Sequence, residues 1–280
     1  MTTPKINTIK RGGARLYVHP TTGQKAVGVT SVLNNLPKPF LQYWRAKVVA
    51  EFAVDNAGTL TQMLLDGAAE GRDPLLARKA TVDWLKNAPQ RDTGKAAETG
   101  TNVHDICEAL ARGETVRRVH PEYQPYVDRY KAFLDEYQPE FLFIEDTIWN
   151  EEHGYAGLFD AIAKLDGRTV VLDLKTTRSG VHAEVALQLA AYARGDYILR
   201  LQEPADVADA SAGVEYLKLP KIDGAAVVHL RPDESSITPI DIGDDVFDMF
   251  VTLMGVRRWE QDLSKRVLGG AIPFGVGVGE

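Results

Sequence analysis

Gly157-Leu158-Phe159-Asp160-Ala161-Ile162-Ala163-Lys164-Leu165-Asp166-Gly167-Arg168-Thr169-Val170-Val171-Leu172-Asp173-Leu174-Lys175 is the stretch on which the fold turns. Two alternating apolar runs flank Asp166-Gly167, a strong two-residue hairpin signal. Such a loop pairs Leu165 with Arg168; counting outward, Ile162 meets Val171 and Asp160 meets Asp173. Cross-strand neighbours sit ~4.5–5.5 Å apart at Cβ, and like charges there repel. Two carboxylates so placed ask for a cation between them. Val170, Leu172 and Leu174 share one face of the second strand; Val171, Asp173 and Lys175 share the other. Asp160, Asp173 and Lys175 thus fall beside apolar Ile162 and Val171. An exposed Asp–Lys pair needs no such setting, and a divalent-metal phosphodiesterase site does. Asp160 and Asp173 would hold one or two Mg2+ or Mn2+ ions, with the Leu174 carbonyl as a neutral ligand. Lys175 would orient the attacking water or offset charge on a phosphate.

Two predicted helices bring further candidates. In Gly100-Thr101-Asn102-Val103-His104-Asp105-Ile106-Cys107-Glu108, His104 and Glu108 lie four apart on one face, beside the apolar stripe Val103, Cys107, Leu110. His104 is a candidate metal ligand; Glu108 is a candidate for a second metal or for holding His104 in place. In the alanine-rich helix that follows Lys175, Glu184, Gln188 and Tyr192 form a polar stripe on an otherwise apolar surface. That stripe either meets a site or faces water. Facing a site, Gln188 and Tyr192 would bond the lysine, a phosphate or a base.

Bulk properties narrow the classes. The chain has 280 residues, 44% hydrophobic and 25% charged, as in an ordinary globular protein. No run approaches the ~18 apolar residues of a membrane span, and Met1–Asn7 lacks an apolar leader core, so a cytoplasmic location is expected. Cys107 is the only cysteine, which excludes an intrachain disulfide, a cysteine-built zinc site and a four-cysteine iron–sulfur cluster; its setting predicts a core residue. The net charge of −7 argues against a protein that coats nucleic acid by bulk attraction, and less against a nuclease. There is no P-loop.

The predicted order is a hairpin over 14–29, a short turn capped by Thr30-Ser31 and stopped by Pro37-Lys38-Pro39, then helices over 40–56, 60–70, 74–87, 93–112 and 122–137, with a loop at Asn87–Gln90. Strands follow over Glu140–Asn150, Tyr155–Leu165 and Thr169–Thr176, then a helix over 182–199. Strands over Gly213–Leu219 and Ala225–Leu230 flank a turn at 220–224. A last helix over 243–266 presents Val246, Met249, Phe250, Leu253 and Val256 as its apolar face, and Gly269–Glu280 forms a glycine-rich mobile tail. This is an α/β protein, divided as 1–97 (hairpin and helices packed on the core), 98–267 (core with C-terminal helix) and 268–280 (tail).

Taken together, Gly100-x-x-x-His104 with Glu108, Gly157-x-x-Asp160, Asp173-Leu174-Lys175 and Gln188-x-x-x-Tyr192 resemble, in order and spacing, the RecB-like branch of the PD-(D/E)XK nucleases. The likeness covers roughly residues 98–230. Ser31-Val32-Leu33 and Pro37-Lys38-Pro39-Phe40-Leu41-x-x-Trp44 resemble the lead-in of phage-encoded members described as exonucleases. The resemblance implies a restriction-endonuclease-like mixed sheet flanked by helices and a Mg2+- or Mn2+-dependent DNA exonuclease of phage or bacterial recombination and repair, working in the (host) cytoplasm. Its partners would be linear DNA ends, of either strandedness, and a recombination protein. It implies His104, Asp160 and Asp173 as metal ligands, Glu108 beside them, Lys175 as catalytic, Gln188 and Tyr192 as an extra pair at the site, and Glu145 as an acidic supporting residue. Cluster-bearing relatives need four cysteines, which this chain lacks. Arg178, His182, Lys218 and the Arg117-Arg118 pair are candidate phosphate contacts. The alternatives are a restriction-type or junction-cutting endonuclease with the same chemistry, and a nuclease-derived DNA-binding or assembly protein without catalysis.

Overall fold

The computed structural model describes residues 6–67, 73–201 and 213–272. The chain opens with β1 (Thr8–Arg11), β2 (Ala14–Val18) and β3 (Lys25–Gly28), an antiparallel meander. The first of these strands was not expected from sequence. Helix α1 (Val29–Leu33) follows directly, with Gly28 at its N-cap. The expected Thr30-Ser31 cap does not form, because the Ser31 hydroxyl accepts the Arg15 N–H at 3.0 Å instead.

Helices α2 (Phe40–Asp55), α3 (Ala57–Gly67), α4 (Pro74–Lys86), α5 (Ala88–Ala111) and α6 (Gln124–Tyr137) come next. Of the predicted 60–70 helix, 68–70 lie outside the described residues. Asp73 caps α4 through the Leu75 N–H at 2.9 Å, with Pro74 starting the helix. Of the loop expected at Asn87–Gln90 only Asn87 separates two helices, and Ala88–Gln90 open the next one. Pro89 sits in the first turn of α5, where its missing N–H breaks no helical bond. As a result α5 runs unbroken across residues 97 and 98.

The strands that follow position the site. Two of the predicted long strands are each cut in two: β4 (Glu140–Ile144) and β5 (Thr147–Asn150), then β6 (Tyr155–Leu158) and β7 (Ala161–Leu165). Strand β8 (Arg168–Lys175) completes the hairpin at Asp166-Gly167, with Leu165 opposite Arg168 as expected. β4 pairs with β7, while β5 pairs with β6, so one antiparallel ribbon passes from one sheet into another. At the crossing the ribbon is held by Glu145 N–H to Asp160 C=O at 3.0 Å and Phe159 N–H to Asp146 C=O at 3.2 Å.

Helix α7 (Glu184–Tyr192) ends well short of the predicted residue 199, and Tyr197–Leu201 is strand β9. The break at Arg194-Gly195-Asp196 lets the chain turn closely over Ile148; a Cβ on Gly195 would lie 3.1 Å from that side chain. Strands β10 (Val214–Lys218), β11 (Gly224–Leu230) and β12 (Ser235–Ile240) and helix α8 (Asp244–Gln261) complete the chain, with a short 3-10 turn at Leu263–Lys265. β12 was missed, and residues 220–224 do not close a hairpin: β10 joins β9 while β11 runs parallel to β8. The buried face of α8 is built on Phe250 and Leu253, while Met249 and Val256 are exposed. Residues 273–280 of the predicted tail lie outside the described residues.

Among the described residues the molecule is α/β with two mixed sheets, ordered β1-β2-β3-β6-β5-β9-β10 and β12-β11-β8-β7-β4. Alternation along β8 sorts the core. Val171 packs with Ile162, Val185, Leu189 and Phe250 on one face, and Leu172 and Leu174 pack with Val103, Cys107 and Phe133 on the other. No helix among the described residues is long and apolar enough to cross a membrane.

Candidate active site

Strand β7 leaves β8 after the pair Ala161–Leu172, one residue before Asp160 would face Asp173. The edge of β8 at residues 173–175 is thereby left without a ladder partner on the β7 side. Asp160 fills the place with its side chain: Oδ2 accepts the Leu174 N–H at 2.6 Å. The hairpin register expected from the Asp-Gly turn therefore holds to its last pair, and Asp160 lies one step beyond it. The N–H and C=O of a strand residue point to the same edge, so the Leu174 carbonyl faces the side from which Asp160 approaches.

His104 reaches the same point from α5, with Nδ1 3.8 Å from Asp160 Oδ1. One turn earlier, a Cβ on Gly100 would stand 3.3 Å from Thr176 Oγ1, so the glycine lets α5 close on the end of β8. Glu145 arrives from the sheet crossing, 4% exposed, with a left-handed backbone at φ 52°. A non-glycine residue in that conformation costs about 1–2 kcal/mol, and such strain is commonest where a side chain must be aimed. Ligand atoms of His104, Glu145 and Asp160 lie within 4.8 Å of one another, the one group of this kind among the described residues. An imidazole and two carboxylates are a donor set for a divalent cation, the carboxylates favouring a hard ion and the imidazole a softer one.

The other predicted ligands are placed differently. Asp173, 2% exposed, lies outside that group of three. Its Oδ2 pairs with Lys175 Nζ at 2.6 Å and its Oδ1 accepts from Gln188 Nε2 at 3.0 Å. Glu108 lines a small cavity with His104, Glu145 and Asp160, and its carboxylate is bound by Arg112 at 2.8 Å. Arg112 also donates to the Ile144 carbonyl at 2.8 Å, tying α5 to the strand that carries Glu145.

Gln188 and Tyr192 do reach the site, and α7 is buried as its composition predicted. Gln188 bridges Asp173 and the Tyr192 hydroxyl, the latter at 3.3 Å. Both therefore position Asp173. Tyr192 in turn explains Gly157, where a Cβ would come within 2.5 Å of the Tyr192 ring and 3.1 Å of Val29. Gly157→Ala is expected to cost about 1–3 kcal/mol by overpacking. Urea unfolding checks this, and in a Tyr192→Ala background the same substitution should cost less than half as much.

Burial raises the Asp173 carboxyl above its usual range; Lys175 opposes the rise and Asp160 adds to it. Burial alone would lower the Lys175 ammonium, but the Asp173 and Asp160 carboxylates outweigh it and hold it above its ordinary value. Lys175 is thus kept as a cation. Burial drives the Cys107 thiol far up, in keeping with its place in the core.

His104, Asp160, Asp173, Lys175, Gln188 and Tyr192 line a cleft of about 560 Å³ between the N-terminal meander and α5, while Glu145 and Glu108 line the small cavity behind it. Of the proposed phosphate contacts Arg178 lines the cleft; His182, Lys218, Arg117 and Arg118 do not. His182 stacks on Phe40, and Lys218 lies on β10, the outermost strand of the larger sheet, opposite Tyr197. Arg15 and Lys95 line the cleft and were not anticipated. The central position of Glu145 had one sequence signal, the acidic pair Glu145-Asp146 interrupting an apolar strand. No protein-family model matches the chain, and no curated protein matches it.

Proposed function

We propose that this chain is a divalent-metal-dependent deoxyribonuclease with a restriction-endonuclease-like core, acting as an exonuclease on linear DNA in phage or bacterial recombination or repair. The observation that carries it is the convergence of His104, Glu145 and Asp160 with the Asp173–Lys175 pair at one open strand edge, where His104, Asp160, Asp173 and Lys175 face a cleft and Glu145 lies behind them. His104, Glu145 and Asp160 would hold Mg2+ or Mn2+, which when bound polarises a phosphate and supplies hydroxide at neutral pH. Lys175, held as an ammonium by two carboxylates, cannot take a proton and serves as the fixed positive charge beside the scissile phosphate. Asp173 anchors that ammonium, and Gln188 anchors Asp173. The Leu174 N–H fixes Asp160 for ligation. The exonuclease assignment rests on the resemblance of the residue 31–44 lead-in, since the site itself serves either mode of cutting.

End-labelled linear duplex should be degraded with Mg2+ or Mn2+ and preserved in chelator, while a closed circle stays intact. Lys175→Ala should lower the rate about 10²–10³-fold, the usual loss of an oriented charge at a transition state. Equal inertness of wild type and variant with both metals overturns the enzymatic proposal. Cutting of the circle overturns the exonuclease assignment alone.

A further inference from the structure

We propose that Arg15 forms a phosphate-binding subsite on the meander wall of the cleft, gripping a substrate phosphate next to the one that is cut. The inference rests on the nuclease function proposed above and names how that site holds its strand.

Arg15 stands on β2 and lines the same cleft as Asp160, Asp173 and Lys175. Each other lysine or arginine lining the cleft has a carboxylate partner: Lys175 with Asp173 at 2.6 Å, Lys95 with Glu122 at 3.8 Å and Arg178 with Asp92 at 3.8 Å. Arg15 makes no ion pair among the described residues. Its guanidinium lies beside the Tyr17 side chain, whose hydroxyl accepts the Leu158 N–H at 3.2 Å. Its own N–H is held by Ser31 Oγ at 3.0 Å. The side chain is thus presented by a strand tied to α1 and to the strand leading into Asp160.

The chemistry follows from what such a group lacks. A guanidinium offers five donors in a planar fork matched to carboxylate or phosphate oxygens. No carboxylate among the described residues takes that fork, and a half-buried position limits its solvation by water. The floor of the cleft carries Asp160 and Asp173, with Glu145 behind them, and these repel a polyanionic strand. A strand laid across them needs fixed positive charge beside the reacting phosphate, and Arg15 is the cation not already neutralised. A phosphate in its fork would set the register of the strand over Asp160.

Binding of a fluorescein-labelled DNA oligonucleotide to the full chain, measured without metal by anisotropy over a salt series, tests this. Arg15→Ala should weaken binding at least tenfold and reduce the slope of log K against log salt by about 0.7–0.9, the value of one phosphate contact. Arg15→Gln, which keeps a polar side chain beside Tyr17 and loses the charge, should do the same with an unchanged melting temperature. Arg15→Lys should keep the slope and recover part of the affinity. Lys25→Ala, which removes a charge from the same meander outside the cleft, should change binding less than twofold. In cleavage assays with metal, KM should rise more than kcat falls. If Arg15→Ala and Arg15→Gln bind and cut as wild type does, the subsite is overturned and the nuclease function stands. If wild type neither binds nor cuts DNA, both are overturned.

Discussion

Glu145→Gln should weaken Mn2+ binding at least about 100-fold in calorimetric titration and reduce DNA cleavage by a similar factor or more. The sequence put the metal on His104, Asp160 and Asp173, with Glu145 in support; the structure groups Glu145 with His104 and Asp160 and ties Asp173 to Lys175 and Gln188. The two arrangements differ in magnitude. Loss of a supporting residue around a metal typically costs about 10–100-fold, while a liganding carboxylate is worth more. Thermal melting gives an independent readout. Metal bound at about 100 times its Kd stabilises the fold by about 2.7 kcal/mol, and Glu145→Gln should lose most of that gain. A loss of Mn2+ affinity clearly below about 100-fold would return Glu145 to a supporting role.

Arg200→Ala is the substitution outside the site with the largest expected cost. Asp146 is the residue after Glu145, and its side chain is 4% exposed. Arg200 on β9 binds it through two nitrogens, with contacts of 2.7, 3.1 and 3.2 Å. Removing the arginine strands a buried carboxylate, which typically costs about 3–5 kcal/mol. The melting temperature should fall by roughly 10 °C for a chain of this size. Asp146→Asn in the same chain should restore at least half of the loss, since the stranded charge is then gone. Because Asp146 also takes the Phe159 N–H, this pair pins the crossing that aims Glu145 and Asp160. Arg200→Ala should therefore weaken Mn2+ binding as well, and the double variant should recover stability more fully than metal affinity. A loss below about 1 kcal/mol would mean that water reaches Asp146 and that the crossing is held by its backbone bonds.

Local patterns carried the sequence reading a long way. The Asp166-Gly167 turn gave the pairing of β7 with β8 without error through Ala161–Leu172. Period-two alternation sorted Val171 from Leu172 onto the faces they occupy, and the alanine-rich stretch after Lys175 is a buried helix whose Gln188 meets Asp173. These succeed because a turn, a strand pleat and a helix repeat are each fixed by a few neighbouring residues. Where the reading stopped was at breaks: Glu140–Asn150 and Tyr155–Leu165 each read as one strand and are two. Similarly, 182–199 read as one helix and is a helix, a turn over Ile148 and a strand. Nothing local to those stretches says that a chain must leave one sheet for another.

By itself, the sequence determined the hairpin, the faces of β8 and the residue types of the candidate site. Only the tertiary structure decided which carboxylates converge. Asp160 and Asp173 are neighbours by register, yet β7 peels away at that level, and Asp160 turns to the Leu174 N–H and to His104. Glu145 is drawn in from the adjoining strand because both strands of the ribbon cross between the sheets together. Register follows from turn length and side-chain period, which the sequence writes locally. The crossing follows from packing two sheets against shared helices, an arrangement set by contacts between residues far apart in the chain.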